Sequence, residues 1–307
     1  DVAGHILGSA TARCELPNGV KVRFSGDLGR PNHPVLREAD PVGDADFVLC
    51  ESTYGDRTHH PEDPVERLAA LITRTVDRGG VLVIPAFAVD RTEVLLYNLA
   101  RLARDGRLPA VPVFVDSPMA LAALRVYRTA IVEGRADIRP ELHGDGTLFE
   151  VPLLQENETP EGSKKISRRS ESAIVIAGAG MATGGRVTHH LERFLPDPKN
   201  AVALVGFQAA GTRGRTLLDG ADVLKMHGKY IPVRAEVCDL PGFSVHADRK
   251  ELVSWLRTAD REPETVLVVH GEESAAESLR RTIAAELGWT AVAPYFGERF
   301  SLRRGEK

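Results

Sequence analysis

Two periodicities alternate along this chain. Residues 20–24, 47–50, 81–85, 111–115, 173–177, 201–205 and 265–269 are short runs rich in Val, Ile, Ala and Phe, and they read as strands. Between them the apolar positions switch to helical spacing. Residues 64–77 place Val65, Leu68, Ala69, Leu71, Ile72 and Val76 on one stripe, and residues 92–104 repeat it with Val94, Leu95, Leu99, Leu102 and Ala103. Gly79 and Gly80 close the first of these helices, and an amphipathic segment near 274–287 stops at Gly288. The rhythm predicts an α/β architecture. One stretch departs from it: residues 159–170 carry Lys164, Lys165, Arg168 and Arg169 with few apolar positions, and read as an exposed basic loop, solvated or touching a polyanion.

With 307 residues, 43% hydrophobic and 27% charged, the chain has material for two domains and a substantial core. A formal charge of -4 excludes a globally basic nucleic-acid binder but leaves room for local patches. Cys14, Cys50 and Cys238 are an odd set without C-x-x-C spacing, which argues against a disulfide framework or a cysteine zinc site and predicts a reducing, cytoplasmic compartment. No apolar stretch reaches the roughly 18 residues that cross a bilayer, so no membrane partner is expected.

Candidate chemistry sits where strands end. His5 lies between Gly4 and Gly8, which permit close backbone approach. Asp27 follows the strand at 20–24 across Ser25-Gly26, and His270 follows the strand at 265–269 ahead of Gly271-Glu272. Singly, each has a bland reading: Asp27 caps a turn or pairs with Arg30, and a strand-end histidine is structural. Together they are the imidazole and carboxylate ligands that a catalytic divalent metal such as zinc takes. Two further turns suit an anion. Ser117 and Pro118 have the N-cap and first-turn signature of a helix with free N–H groups, and the segment 181–186, with Gly184 and Arg186, precedes a helix near Val187. A tight strand-to-helix connection explains each equally well.

These segments, with Glu51-Ser52-Thr53-Tyr54-Gly55 and Phe243-Ser244-Val245-His246-Ala247-Asp248, run in the order of a known family across essentially the whole chain. The chain resembles the β-CASP branch of the metallo-β-lactamase superfamily, close to the bacterial relatives of the endonuclease subunit of the cleavage and polyadenylation machinery. The resemblance implies a partial metallo-β-lactamase αββα sandwich with an inserted α/β β-CASP domain: residues 1–55 and 243–307 for the first, 56–242 for the second, with RNA entering between them. It implies that His5 binds one zinc ion, His270 a second, and Asp27 bridges both. It also implies that Glu51 orients His246, which protonates the leaving oxygen; a carboxylate beside an imidazole favours a general acid near neutrality. The alternatives are that Glu51 is a surface carboxylate at a domain junction and that His246 is a helix-entry residue. Asp248 reads as the cap of the helix that follows. Arg213 and Arg215 lie in a segment similar to one lining the family's cleft, where they grip the phosphodiester or else pair with Asp219 or Asp222.

The family's His-x-His-x-Asp-His turn occurs nowhere in the sequence. Two zinc ions belong to the complete enzyme, and the ligand set here is incomplete at two protein ligands per ion. The expectation is therefore a metal-dependent ribonuclease with a missing N-terminal segment, binding metal weakly and inactive as this chain alone. The strands at 20–24 and 47–50 are expected to leave unpaired edges and an exposed apolar face. A non-catalytic RNA-binding or scaffold member of the family is the alternative, while a small-molecule thioester or lactam hydrolase leaves the large insert unexplained. RNA is the expected partner, and a homodimer is left open.

Overall fold

The computed structural model describes residues 1–59 and 63–303. In chain order, β1 (Ala12–Glu15), β2 (Lys21–Phe24) and β3 (Phe47–Glu51) precede α1 (Pro64–Asp77), β4 (Val81–Pro85), α2 (Arg91–Arg104), β5 (Val113–Asp116) and α3 (Pro118–Val132). Next come β6 (Leu154–Glu156), α4 (Pro160–Ser167), β7 (Ala173–Ala177), α5 (Arg186–Phe194), β8 (Ala201–Leu204) and α6 (Arg213–Leu218). Last are β9 (Val223–Met226), β10 (Lys229–Pro232), β11 (Glu236–Asp239), α7 (Arg249–Leu256), β12 (Thr265–Val269), α8 (Glu273–Leu287) and β13 (Ala291–Val292). Every apolar run becomes a strand and every helical stripe a helix, giving a mixed α/β fold.

The first compact unit comprises Asp1–His59, Ala136–Arg139 and Val245–Lys307. Its sheet runs β1-β2-β3-β12-β13, with β1 antiparallel to β2 and the remaining pairs parallel. α7 and α8 bury Leu252, Leu256, Leu279 and Ile283 against Val48, Cys50, Val266 and Val268. Each such aliphatic side chain contributes roughly 1.5–3 kcal/mol by leaving water. The expectation of unpaired edges at residues 20–24 and 47–50 is overturned, because β2 lies between β1 and β3, and β3 between β2 and β12. β1, exposed at every position and carrying Arg13 and Glu15, takes the edge, where charge discourages further pairing. The apolar face is covered too: Val20, Val22 and Phe47 cluster with Leu16, Leu49 and Leu302.

The second unit comprises His60–Arg135 and Pro140–Ser244. Its sheet is parallel throughout, in the order β11-β8-β4-β7-β5-β6, and β9 and β10 form a separate hairpin. β4 and β7 are buried at all five positions, as strands covered on both faces must be. The basic stretch at 159–170 is not a loop. Thr159 caps α4 by accepting the Gly162 N–H, Pro160 occupies the first turn, and Ile166 joins the core while the lysines stay outside. One buried anchor and a good cap suffice for a helix this short, so apolar counting misses it.

Among the described residues no helix is long and apolar enough to cross a membrane. Cys14, Cys50 and Cys238 are unpaired.

Candidate active site

Three parallel strands of the first unit end side by side, and Asp27, Glu51 and His270 stand on or just past the ends of β2, β3 and β12. The carboxyl ends of parallel strands are where α/β sheets expose side chains on a fixed frame. His5 reaches the same place because two glycines let backbone touch backbone. The Gly29 N–H donates to the Ala3 carbonyl at 2.9 Å, and a Cβ at Gly29 would stand 1.8 Å from the Gly4 oxygen. The Ser9 hydroxyl closes the turn by accepting the His5 and Ile6 N–H groups at 3.1 and 3.2 Å.

Asp27 divides its carboxylate between two imidazoles: Oδ2 lies 3.8 Å from His5 Nε2, and Oδ1 lies 3.1 Å from His270 Nε2. His270 is held at a left-handed φ of 52°. Such a conformation costs a non-glycine residue on the order of 1–3 kcal/mol and persists where the surroundings impose it. Here Ser52 imposes it, donating its N–H to the His270 carbonyl at 3.2 Å and its hydroxyl to Val269 at 2.8 Å. Gly271 completes the fit, since a Cβ there would meet Ser52 Oγ at 2.3 Å.

Glu51 is 1% exposed and is anchored on both sides. Its N–H donates to Ser25 Oγ at 2.9 Å, its Oε1 accepts the Leu28 N–H at 2.6 Å, and its Oε2 accepts the Thr53 N–H at 3.3 Å. His246 Nδ1 lies 3.4 Å from Oε1. Burial alone would push the Glu51 carboxyl up; the hydrogen bond and charge of His246, with the Thr53 and Leu28 donors, more than offset it and hold the group below its ordinary value. Glu51 is thus a buried carboxylate aimed at one ring nitrogen of His246.

The His246 main chain is pinned as well. It bridges Gly29, and its carbonyl lies 3.0 Å from His59 Nε2. Asp248 opens α7 with a reciprocal capping box to Glu251, as its position suggested. The His246 ring packs against that of His5, with centroids 4.2 Å apart, and meets Tyr54 edge-on at 6.2 Å.

Neutral imidazoles and one carboxylate whose oxygens face different rings are a donor set suited to divalent metal, so these residues fit the ions that the fold implies. His5, Asp27 and His246 also each present a donor atom within 4.8 Å of the other two. His59 went unnoticed in the sequence, and Tyr54 and Ser25 were noted only as members of their motifs, since their contribution is contact across loops and no spacing announces it.

The anion-binding candidates lie in the second unit. Ser117 caps α3 by accepting the Ala120 N–H at 3.3 Å. Gly184, Arg186 and Arg213 line a depression of about 400 Å³ together with Gly185, His189 and His227; Ser117 and Arg215 are not among its lining residues. The guanidinium groups already have partners. Arg186 donates to Asp116 at 2.7 Å and to the carbonyls of Asn157 and Glu158, while Arg213 donates to the carbonyls of Lys225 and Thr183. Arg215 pairs with Asp219 at 2.8 Å, one of the two alternatives its sequence position left open.

A family model described as the Beta-Casp domain matches residues 92–217, and one described as the Zn-dependent metallo-hydrolase RNA specificity domain matches residues 230–294. The chain is 36% identical to Ribonuclease TTHA0252 of Thermus thermophilus over 96% of its own length and 67% of that protein's. It is 31% identical to an RNase J-like protein of Methanocaldococcus jannaschii, covering 96% of this chain and 68% of the relative. With the transcription termination factor FttA of Methanosarcina mazei it shares 32% identity over 93% of this chain but only 46% of the relative, so it spans about half to two thirds of the proteins it matches. With its ordered motifs converged on one sheet end, the chain belongs to the β-CASP branch of the metallo-β-lactamase superfamily.

Proposed function

We propose that this chain carries the acid–base half and part of the metal-binding half of a metal-dependent ribonuclease that hydrolyses RNA phosphodiester bonds. The observation that carries the reading is the division of Asp27 between His5 and His270, with the buried Glu51–His246 pair alongside. His5 and His270 would each hold one zinc ion, and Asp27 would serve both. When bound, the metal ions supply an activated water and stabilise charge developing on phosphorus-bound oxygens. Glu51 fixes the His246 ring by accepting from Nδ1, which leaves Nε2 to hold the proton that the departing oxygen takes. Ser117, Gly184, Arg186, Arg213 and Arg215 are assigned to the RNA-binding side, with Arg186 and Arg213 acting mainly by shaping the backbone they already grip. The names of the ribonuclease relatives and of the RNA specificity domain support RNA as the substrate.

His5, Asp27 and His270 supply two donors per ion, fewer than the three or four that usually hold zinc tightly. The test is cleavage of labelled RNA, with and without chelator, by this chain and by a form extended with a His-x-His-x-Asp-His segment. Chelator-sensitive cleavage by the extended form is expected. Cleavage indifferent to chelator, or none on any RNA, contradicts the proposal.

One observation favours a second role for His246. Its grouping with His5 and Asp27, and a carboxylate behind its other nitrogen, also suit an oriented metal ligand. Metal affinity and cleavage rate respond differently under the two roles, which separates them. A purely RNA-binding member of the family has no use for the convergence of His5, Asp27, Glu51, His246 and His270.

A further inference from the structure

A second group of metal-type donors lies in the other compact unit, where His189 and His227 line the same depression as Gly184, Arg186 and Arg213. α5 presents His189 and Glu192, three positions apart and therefore on one helical face. The turn between β9 and β10 delivers His227 to the same face. One donor atom from each of the three lies within 4.8 Å of the other two. His227 Nδ1 is 2.6 Å from Glu192 Oε2, and the His189 and His227 rings stack with centroids 4.4 Å apart.

The turn fixes where the His227 side chain starts. Met226 pairs with Lys229, so only His227 and Gly228 reverse the chain, both at positive φ of 46° and 76°. Two-residue turns of this kind favour Asn-Gly or Asp-Gly, because the first residue must be left-handed. The Thr188 hydroxyl, 3.2 Å from His227 Nε2, fixes the ring as an outer partner does in metal sites. The Glu192 carboxylate is held from both sides, with Oε1 accepting from Lys229 Nζ at 2.7 Å and Oε2 facing His227 Nδ1.

We propose that His189, Glu192 and His227 bind a divalent transition-metal cation of borderline softness, such as zinc or nickel, which fastens the β9–β10 hairpin to α5. Two imidazoles and a carboxylate are the donors such ions take, and three protein ligands leave room for water. Donors in a tetrahedral zinc shell stand about 3.3 Å apart. Uptake therefore draws Glu192 and His227 away from their present 2.6 Å contact, and it competes with Lys229, whose Nζ donates to Glu192 at 2.7 Å.

The test is calorimetric titration with nickel or zinc of the 307-residue chain carrying His5→Ala, Asp27→Ala and His270→Ala, which silences the other group. One equivalent is expected to bind. His189→Gln on the exposed helix face, or His227→Asn, which suits the left-handed turn, is expected to weaken it at least about tenfold, the loss that even an outer-shell change costs. Lys229→Met, which releases Glu192, is expected to tighten it several-fold. In the unsubstituted chain the same cation slows amide exchange in the hairpin. A parent that takes up no cation, or His189 and His227 variants that bind as tightly as the parent, overturns the site; an unchanged or weaker affinity in Lys229→Met overturns Glu192 as a ligand.

Discussion

The molecule contains two buried carboxylates at strand ends beside a histidine, and they serve opposite ends. In the second unit, Asp116 closes β5 with no exposure and accepts from Ser163, Asn157, Arg186 and His190, the last itself fully buried. All its lone pairs are spent inside the protein. In the first unit, Glu51 closes β3 with nearly the same burial, but its histidine is 16% exposed and stands near Asp27, which pairs with His270; those side chains are 38% and 61% exposed. The residue types match; what differs is whether a polar atom is left facing outward. A saturated network holds a fold together, and one left open on one side can hold or give a proton.

The largest effect that would sharpen this contrast is on rate. Glu51→Gln in the extended, metal-competent form should lower RNA cleavage by about 10²–10⁴-fold, the usual contribution of a positioned acid or base, with the melting temperature nearly unchanged. The mirror-image substitution, Asp116→Ala, should cost about 3–5 kcal/mol by stranding buried donors and His190. Denaturant unfolding followed by circular dichroism reads it. A catalytic loss without destabilisation at Asp116 would erase the distinction between the two pairs.

Acid should also separate them. Burial alone would raise the Asp116 carboxyl, but hydrogen bonds from His190, Ser163 and Asn157 bring it down to about 2. Its folded value lies below the ordinary carboxylate value of about 4, so its contribution is complete above about pH 4 and is lost as the pH falls through about 2. Unfolding curves of Asp116→Asn and the parent should converge over that window.

The smallest effect concerns Glu93 on α2, a carboxyl with no exposure whose two oxygens have no hydrogen-bond partner. Burial, then the nearby Asp90, pushes it up to about 8. The folded protein then holds a proton that the unfolded chain has lost, and stability falls as the pH rises from about 4 to about 8. Glu93→Gln should be neutral at acid pH and stabilising by on the order of 1–3 kcal/mol at alkaline pH. A Tm difference independent of pH would show that Glu93 stays ionised.

Strands and helices were legible because their periodicities are local; His5, Asp27 and His270 stood out as candidates at turns beside strands, while Glu51 and His246 were singled out only through the family resemblance. The close approach of Gly271 to Ser52, and of Gly29 to Gly4, explains why small residues stand beside His270 and His5, but only the folded backbone reveals it. The partners of Arg186 and Arg213 were illegible because they lie far along the chain: the Asp116 carboxylate and several main-chain carbonyls. β1 went unrecognised because an edge strand needs no apolar alternation. α4 was hidden by its lysines, and His227 because a turn position carries no periodic signal at all.

The measurement that bears most directly on this account pairs zinc affinity with single-turnover RNA cleavage for His246→Ala in the extended form. The account predicts a rate at least about a hundredfold lower with zinc affinity unchanged, as for an acid oriented by Glu51. An unchanged rate, or zinc lost in parallel with activity, would contradict it.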